Sequence, residues 1–438
     1  MSETLANIFQ IGEAMEQRLA QLEETLEEQV NKIVDISRIG SVFTSYLDLD
    51  LVLPMIIETG LRIVKGEVGE VAIFNFHGQP KSISWGLTSE IIRQISTENH
   101  SDLIEQIKST GNSATLNEIK VKAEGGATDA ELNINSLIIS PLKSQNDVVG
   151  YIAIANKEDQ EDFSSDDTFS LEMLGSFVAV AVKNAELHMD ALIKQKLEHE
   201  LQLAEQVQST LMPEKIIKFD GLEVFSHYNP AGQVGGDFYD TIDLGDGRYL
   251  IVVADVSNKG VPAALIMSST RSYIRVMAQR TDSLADLVSQ VNNLLCRDVE
   301  KLSGMFVTTF LGLIDTKNGT LISVNAGHPP AYLFRGSEII TLKTGGPFVG
   351  QFANIPYQEI EIEIKSGDKI IIYTDGIFEC ANAEGEMLGL KNALKFFEEN
   401  ITKSWPLFVE RLSELLAEYS YDKSRIDDTT LLMIEIKK

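Results

Sequence analysis

One pattern recurs in the second half of this chain and limits what it can fold into. An apolar run ends, or begins, at an aspartate beside a turn. Tyr249-Leu-Ile-Val-Val-Ala254 leads into Asp255, and Ile370-Ile-Ile-Tyr-Thr leads into Asp375-Gly376. In Arg425-Ile-Asp427-Asp428-Thr-Thr-Leu-Leu the acids precede the run, and Asp237 follows Gly235-Gly236. Short β-branched runs that are apolar almost throughout read as buried strands. After a single strand, an aspartate is either a turn residue or a ligand aimed into a site. Three acidic strand ends plus a Gly-Gly-Asp turn in one segment favour the second reading, because strand ends on one sheet edge bring their acids together.

Clustered carboxylates do not all ionise side by side without a compensating charge. A hard divalent cation supplies it, and Mg²⁺ or Mn²⁺ prefers oxygen ligands. Two such ions make a hydrolytic site that clamps a reacting phosphoryl group. Composition narrows the partners. The 438 residues carry a net charge of −28, which argues against nucleic acid or an anionic membrane as the main partner. No apolar run approaches the roughly 20 residues of a membrane span. The N-terminus lacks the basic and apolar regions of a secretory signal. Cys296 and Cys380 stand alone, without disulfide or zinc spacing, so a reducing cytoplasm is expected.

The chain length predicts two or three domains. Residues 1–35 read as one helix, with Ile8, Met15, Leu19, Leu22, Leu26, Val30 and Ile33 on an apolar seam. That seam is either a coiled-coil contact or the face of a helix docked on its own domain. Residues 36–176 read as an α/β domain. It has a helix over Leu51–Val64, a strand over Glu70–Phe76 with a turn at His77-Gly-Gln-Pro80, and a hairpin of Ser136–Leu142 with Val148–Ala155. A helix opens near Ser165, and residues 177–211 continue without Gly or Pro as a helical linker up to Met212-Pro213. Residues 212–438 mix strand runs with helical blocks over Ala263–Gln279, Ser283–Glu300 and Leu388–Glu399, an α+β pattern.

Two resemblances follow. The hairpin, Asn156-Lys157, Phe163 and Asp167 make residues 36–176 resemble a GAF domain, a signal-sensing module. The Asn-Lys…Phe-x-x-x-Asp spacing is similar to that of cyclic-nucleotide-binding members, but Thr168 stands where they carry Glu. The module then either takes a small-molecule signal or serves in protein contact. About residues 200–438 resemble the metal-dependent phosphatases of the protein phosphatase 2C class, in the bacterial branch of the sporulation and sigma-B stress phosphatases. The motifs are Gln206 ahead of Leu211-Met-Pro213, Val234-Gly-Gly-Asp-Phe-Tyr-Asp240, Ala254-Asp-Val-Ser-Asn-Lys-Gly260, Asn325-Ala-Gly-His-Pro-Pro330, Tyr373-Thr-Asp-Gly376 and Asp427-Asp-Thr-Thr430.

The resemblance implies a C-terminal antiparallel β-sandwich flanked by helices, with two Mn²⁺ or Mg²⁺ ions at one edge. It implies that Asp255 bridges them, with Asp237 and the Val256 carbonyl on one ion and Asp375 on the other. Asp427 matches the last ligand better than its neighbour Asp428. Asn258 departs from the branch's usual Gly. His328 is a general acid or a turn-fixing residue, and its Gly- and Pro-rich surroundings favour the turn. Gly345-Gly346-Pro347 reads as a loop near the site. The implied substrate is a phosphorylated anti-sigma-factor antagonist or similar small phosphoprotein, and the helical seams imply a homodimer. The alternative is a catalytically silent scaffold that binds a signal and docks partners.

Overall fold

The computed structural model of the chain describes residues 15, 18–20, 23, 26–27, 30, 33–46, 48–98, 102–119, 121–123, 132–145, 147–299, 304–343, 345–419 and 427–437. The chain divides into two compact units, Met1–Lys196 and Leu197–Lys438.

In the first unit α1 spans residues 33–45. It is followed by α2 (Leu49–Val64), β1 (Gly66–Phe76), β2 (Gln79–Trp85), α3 (Ser89–Glu98), α4 (Leu103–Thr110), β3 (Ala114–Leu116), β4 (Val121–Ala123), β5 (Leu132–Ile134), β6 (Leu137–Ser144), β7 (Asp147–Lys157) and α5 (Ser165–Leu211). The main sheet runs β2-β1-β7-β6-β3, antiparallel throughout. Its β1–β2 turn needs only His77 and Gly78, both at positive φ, and Gln79-Pro80 already belong to β2. Alternation sends Ile152 and Ile154 of β7 toward α2 and α5, and Tyr151 and Ala153 toward α3 and α4. Both faces are therefore covered, which is why this strand reads as continuously apolar.

The first turns of α5 lie on the sheet through Leu171, Leu174, Val178 and Val182. Gly175 permits the approach, since a Cβ there would stand 2.7 Å from the Pro141 carbonyl oxygen. Of the N-terminal seam, Ile8 and Leu22 fall outside the described residues. Met15, Leu19, Leu26, Val30 and Ile33 lie in helix and are exposed, so this part of the seam is not docked on its own unit.

The second unit contains β8 (Ile216–Phe219), β9 (Leu222–Asn229), β10 (Phe238–Gly245), β11 (Arg248–Val256), α6 (Val261–Ala278), α7 (Leu284–Val299), β12 (Val307–Asp315), β13 (Thr320–Ala326), β14 (Ala331–Arg335), β15 (Glu338–Leu342), β16 (Ile360–Glu363) and β17 (Lys369–Tyr373). A 3₁₀ turn (Asp375–Ile377), α8 (Gly389–Asn400), α9 (Trp405–Tyr419) and β18 (Thr429–Ile436) complete it. Two antiparallel sheets result, β10-β11-β12-β13-β16 and β15-β14-β17-β18-β9-β8. Ile251 and Val253 of β11 meet Ile370, Ile372, Leu432 and Ile434 of the other sheet in one core. On the outer face of the first sheet, Leu250, Val252 and Ala254 pack under α6 and α7. On the outer face of the second, Ile371, Tyr373, Leu431 and Met433 pack under α8 and α9. This is an α+β sandwich flanked by helices.

A buried ion group ties α6 to its sheet. Asp240 of β10 accepts two hydrogen bonds from Arg275, at 2.6 and 2.7 Å, and has Arg271 Nε at 3.1 Å. Fixing α6 in this way also fixes the loop between β11 and α6, where part of the acidic pattern lies.

Candidate functional site

Antiparallel pairing sets the acids beside one another. The start of β10 lies against the end of β11, with Phe238 opposite Ala254, so Asp237 comes abreast of Asp255. The end of β17 lies against the start of β18, with Tyr373 opposite Leu431, so Asp375 comes near Asp427. Asp255 is not past its strand, as the sequence pattern implied. It pairs with Thr308 inside the β11–β12 ladder.

Asp237 joins the two sheets. Its Oδ2 accepts hydrogen bonds from Thr374 and Thr430, both at 2.7 Å. Those threonines are linked in turn, since Thr430 N donates to Thr374 Oγ1 at 3.0 Å. Sequence reasoning gave these threonines no role, although both sit in the quoted Thr-Asp-Gly and Asp-Asp-Thr-Thr motifs. A hydroxyl beside each acidic strand end was the available signal.

Burial, and then the charges of Asp255 and Asp428, push the Asp237 carboxyl well above the usual carboxylate range. Burial and the charge of Asp375 push Asp255 up to about 7, against a lowering hydrogen bond with Asp237. Asp375 rises to about 6, through burial and the neighbouring charges of Glu379 and Asp427. Burial is the largest cause in all three, and the mutual repulsion that adds to it is what a nearby cation would relieve.

The Gly-Gly-Asp loop is held from two sides. Gln208 of α5 donates from Nε2 to the Gly235 carbonyl at 2.7 Å and accepts from the Gly235 amide at 3.1 Å. Gln208 is buried whereas Gln206, quoted in the sequence motif, is exposed, so it is Gln208 that holds this loop. From the other side, Asp428 Oδ2 accepts from the amides of Gly236 (2.6 Å) and Asp237 (3.3 Å), and Oδ1 accepts from Ala231 N at 2.8 Å. A Cβ on Gly235 would lie 2.5 Å from Asp428 Oδ2, and one on Gly236 would lie 2.9 Å from the Val256 carbonyl. Both glycines are demanded by close approach.

The two acids of the Asp427-Asp428 pair thus differ. Asp428 is 7% exposed, with its oxygens engaged by the loop amides. Asp427 is half-buried and faces Lys259, Nζ to Oδ2 3.1 Å. Asp428→Asn is therefore expected to lower the unfolding free energy by about 1–3 kcal/mol, because an amide offers those N–H groups one acceptor instead of two. Asp427→Asn is expected to leave the melt unchanged, weaken Mn²⁺ binding and reduce activity more than Asp428→Asn does. Thermal melts and Mn²⁺ calorimetry on both variants check this.

Asn258 has φ 72°, a conformation that Asn tolerates better than other non-glycine residues. His328 is buried, and burial lowers its pKa to about 3, so its ring is neutral at physiological pH. Its Nδ1 lies 2.8 Å from Thr308 Oγ1, and its amide donates to Asn325 Oδ1 at 2.9 Å. Asn325 Nδ2 donates to the Pro329 carbonyl, closing the turn. These bonds suit the turn-fixing reading. The Gly345 amide donates to the Asn325 carbonyl at 2.6 Å, and Gly346 bridges to Ala326, so this loop runs beside the same turn.

Among the described residues no three His, Cys, Asp or Glu side chains converge as a metal cage. Asp237 is bonded to the two threonines and to Asp255, and Asp427 to Lys259. The donor chemistry nevertheless fits Mg²⁺ or Mn²⁺. The available ligands are all oxygens, and a divalent cation relieves the repulsion that raises Asp237, Asp255 and Asp375.

In the first unit the nucleotide-type motif is spent on the fold. Asn156 accepts from the Asn135 amide at 2.9 Å and donates to the Asn133 carbonyl at 2.8 Å. Lys157 pairs with Asp167 at 3.1 Å, both largely buried. Burial would raise Asp167, but the Ser164 amide and hydroxyl and Lys157 outweigh it and bring the carboxyl below its ordinary value. The Phe163 amide and carbonyl both bond the Asn117 side chain. Thr168 donates to the Ser164 carbonyl. A cavity of about 800 Å³ lies nearby, lined by Glu67, Glu118, Asn133, Asn135, Lys157 and Asp162 among others.

A two-sheet sandwich flanked by helices, with acidic strand ends gathered at one edge, is the fold of PP2C-type domains. Residues 245–437 match the family described as Stage II sporulation protein E (SpoIIE), and residues 23–182 match the GAF domain. The chain thus joins a GAF domain to a SpoIIE-type domain. Asp255, Asp375, Asp427 and Asp428 fall inside the SpoIIE match, and Asp237 just before it. The SiaA-PP2C domain of Pseudomonas aeruginosa shares the fold, with TM-score 0.50 and 24% identity over 56% of this chain and 100% of that one.

Among curated relatives, "Protein IcfG" of Synechocystis sp. is 28% identical over 54% of this chain and 41% of its own length. "Phosphoserine phosphatase RsbU" of Bacillus subtilis is 26% identical over 56% of this chain and 72% of its own. "Phosphoserine phosphatase RsbP" of the same organism is 28% identical over 42% and 47%. The chain therefore spans less than half the length of IcfG and RsbP. Among the described residues no helix is long and apolar enough to cross a membrane.

Proposed function

We propose that this protein is a Mn²⁺- or Mg²⁺-dependent serine/threonine protein phosphatase under control of its GAF domain. Its substrate would be a small phosphoprotein of the anti-sigma-factor-antagonist type. The observation that carries the reading is that strand pairing sets Asp237 abreast of Asp255, with Asp375 beside Asp427 at the same end of the sandwich. Similarity to the phosphoserine phosphatases RsbU and RsbP supports the phosphoserine specificity.

In this reading Asp237, Asp255, the Val256 carbonyl, Asp375 and Asp427 would hold the divalent cations. When bound, the ions supply Lewis acidity that acidifies water and offsets charge building on the phosphoryl oxygens. Thr374 and Thr430 orient the Asp237 carboxylate, and Asp428 and Gln208 keep its loop from shifting. His328, neutral and bonded to Thr308, is a framework residue. A panel of phosphorylated candidate antagonists tests the substrate class. Mn²⁺-dependent phosphate release from one of them is expected, and equal release under chelator contradicts the reading.

Control is proposed to run through α5. Met189, Ile193, Leu197 and Val207 follow one stripe of that helix and are each at least 42% exposed. Pairing two copies would bury them at about 25 cal/mol per Å². A parallel homodimer at micromolar concentration is therefore expected by sedimentation. Inserting two residues near Gln195 rotates the helix by about 200° and should uncouple regulation. Inserting four rotates it by only about a tenth of a turn and should be milder. A monomer, or insensitivity to both insertions, would remove this coupling.

A further inference from the structure

Four carboxylates around two divalent cations balance in charge. A phosphate ester arriving as a dianion then meets no surplus positive charge from that set. A side-chain cation near the cluster would supply it.

The structure provides one candidate. Lys259 lies in the loop between β11 and α6, four residues after Asp255. Its neighbours Asn258 and Gly260 both have positive φ, at 72° and 76°. Its Nζ lies 3.1 Å from Asp427 Oδ2, and its charge also acts on Asp375. Among the described residues it is the cation paired with the acidic cluster. Its side chain is 54% exposed, so solvent-borne ligands reach it. A lysine is a flexible point charge with three donors and a common phosphate binder.

We infer that Lys259 is the phosphate-recognising residue of the site, donating to a non-bridging oxygen of the phosphoryl group. The inference rests on the phosphatase reading for its biological meaning. With a divalent cation held by Asp427, Lys259 Nζ, now 3.1 Å from that carboxylate, would be within reach of a phosphoryl group at the same acids. The ammonium then offsets charge on the oxygens that gain it, while Asp255 and Asp375 remain cation ligands. The residue would thus contribute to substrate binding and product retention more than to metal binding. It acts on any phosphomonoester, so it sets affinity for the phosphoryl group and not the identity of the protein bearing it.

The test is calorimetric titration of inorganic phosphate into the Mn²⁺-loaded full-length protein, for wild type, Lys259→Gln and Lys259→Arg. Phosphate affinity should fall on the order of tenfold in Lys259→Gln, the scale of one charge-assisted hydrogen bond at an accessible position, and recover in Lys259→Arg. Mn²⁺ affinity in Lys259→Gln should equal or exceed that of wild type, because a competing cation on Asp427 has been removed. Unchanged phosphate affinity overturns the assignment. So does loss of Mn²⁺ binding in Lys259→Gln, which would make the lysine a support for Asp427. Wild type that binds Mn²⁺ and phosphate but hydrolyses no ester would overturn the phosphatase reading, and the phosphate titration would still decide the role of Lys259.

Discussion

Asp255→Asn should abolish Mn²⁺-dependent hydrolysis, with a loss on the order of a thousandfold or more, and leave the fold intact. The substitution keeps the shape of the side chain and its place in the β11–β12 ladder, opposite Thr308. It removes the charge at the position proposed to bridge two cations, and an amide is a poor ligand for both. The metal-free protein should show the opposite effect on stability. Burial and Asp375 raise the Asp255 pKa from 3.8 to about 7. Across that interval the folded state holds a proton that the unfolded state releases, so this contribution is fully present below pH 3.8. It is lost as pH rises toward 7. Wild type under chelator should therefore melt lower at pH 8 than at pH 5. Asp255→Asn should melt above wild type at pH 8, with a shallower pH dependence, because Asp375, raised to about 6, still contributes. Full activity in this variant contradicts the site. Identical pH profiles contradict the account of its electrostatics.

Gly376→Ala should be nearly as damaging by a steric route. A Cβ there would stand 2.1 Å from the carbonyl oxygen of Asp428, 3.0 Å from its carbonyl carbon and 3.4 Å from the Asp427 Cβ. Backbone atoms at that distance do not rotate away. The 3₁₀ turn and the start of β18 must separate, which strains the Thr374–Thr430 contact and draws Asp375 away from Asp427. Overpacking of this kind costs about 1–3 kcal/mol. For a unit of this size that lowers the melting temperature by about 2–4 °C per kcal/mol. Activity should fall further than stability, because the acids on both sides of the clash belong to the proposed site. Gly232→Ala is the control: its Cβ would make only an ordinary 3.6 Å contact with the Val234 carbonyl oxygen. Wild-type melting and activity in Gly376→Ala would show that the two strand ends are not held as closely as described.

The central strands were legible because both of their faces are buried. Tyr249–Ala254 and Ile370–Tyr373 are apolar on successive residues, and the structure extends the first to Arg248–Val256 and the second to Lys369–Tyr373. Strands with a polar face were missed. β9 alternates buried and half-exposed residues and contains Glu223, Ser226 and His227, so no apolar run announced it. β10 carries Asp240, Thr241 and Asp243, and its buried aspartate is stabilised by two arginines more than thirty residues later in the chain, a contact no local pattern reveals.

The acidic residues stand out in the sequence because each sits at or beside a strand end. The side chains that bond them do not, because those contacts depend on pairing between distant segments. Gln208 reaches Gly235, Thr374 and Thr430 reach Asp237, and Asp428 reaches Gly236. The GAF-type motif was read from spacing alone, and spacing did not reveal that Asn156, Lys157 and Asp167 are spent on one another and on the backbone.

The most direct measurement is hydrolysis of p-nitrophenyl phosphate by the chelator-treated full-length protein as Mn²⁺ is returned. The account predicts no turnover under chelator and activity that rises and saturates with Mn²⁺. Turnover that survives the chelator, or a protein that stays inactive at every Mn²⁺ concentration while remaining folded, would contradict it.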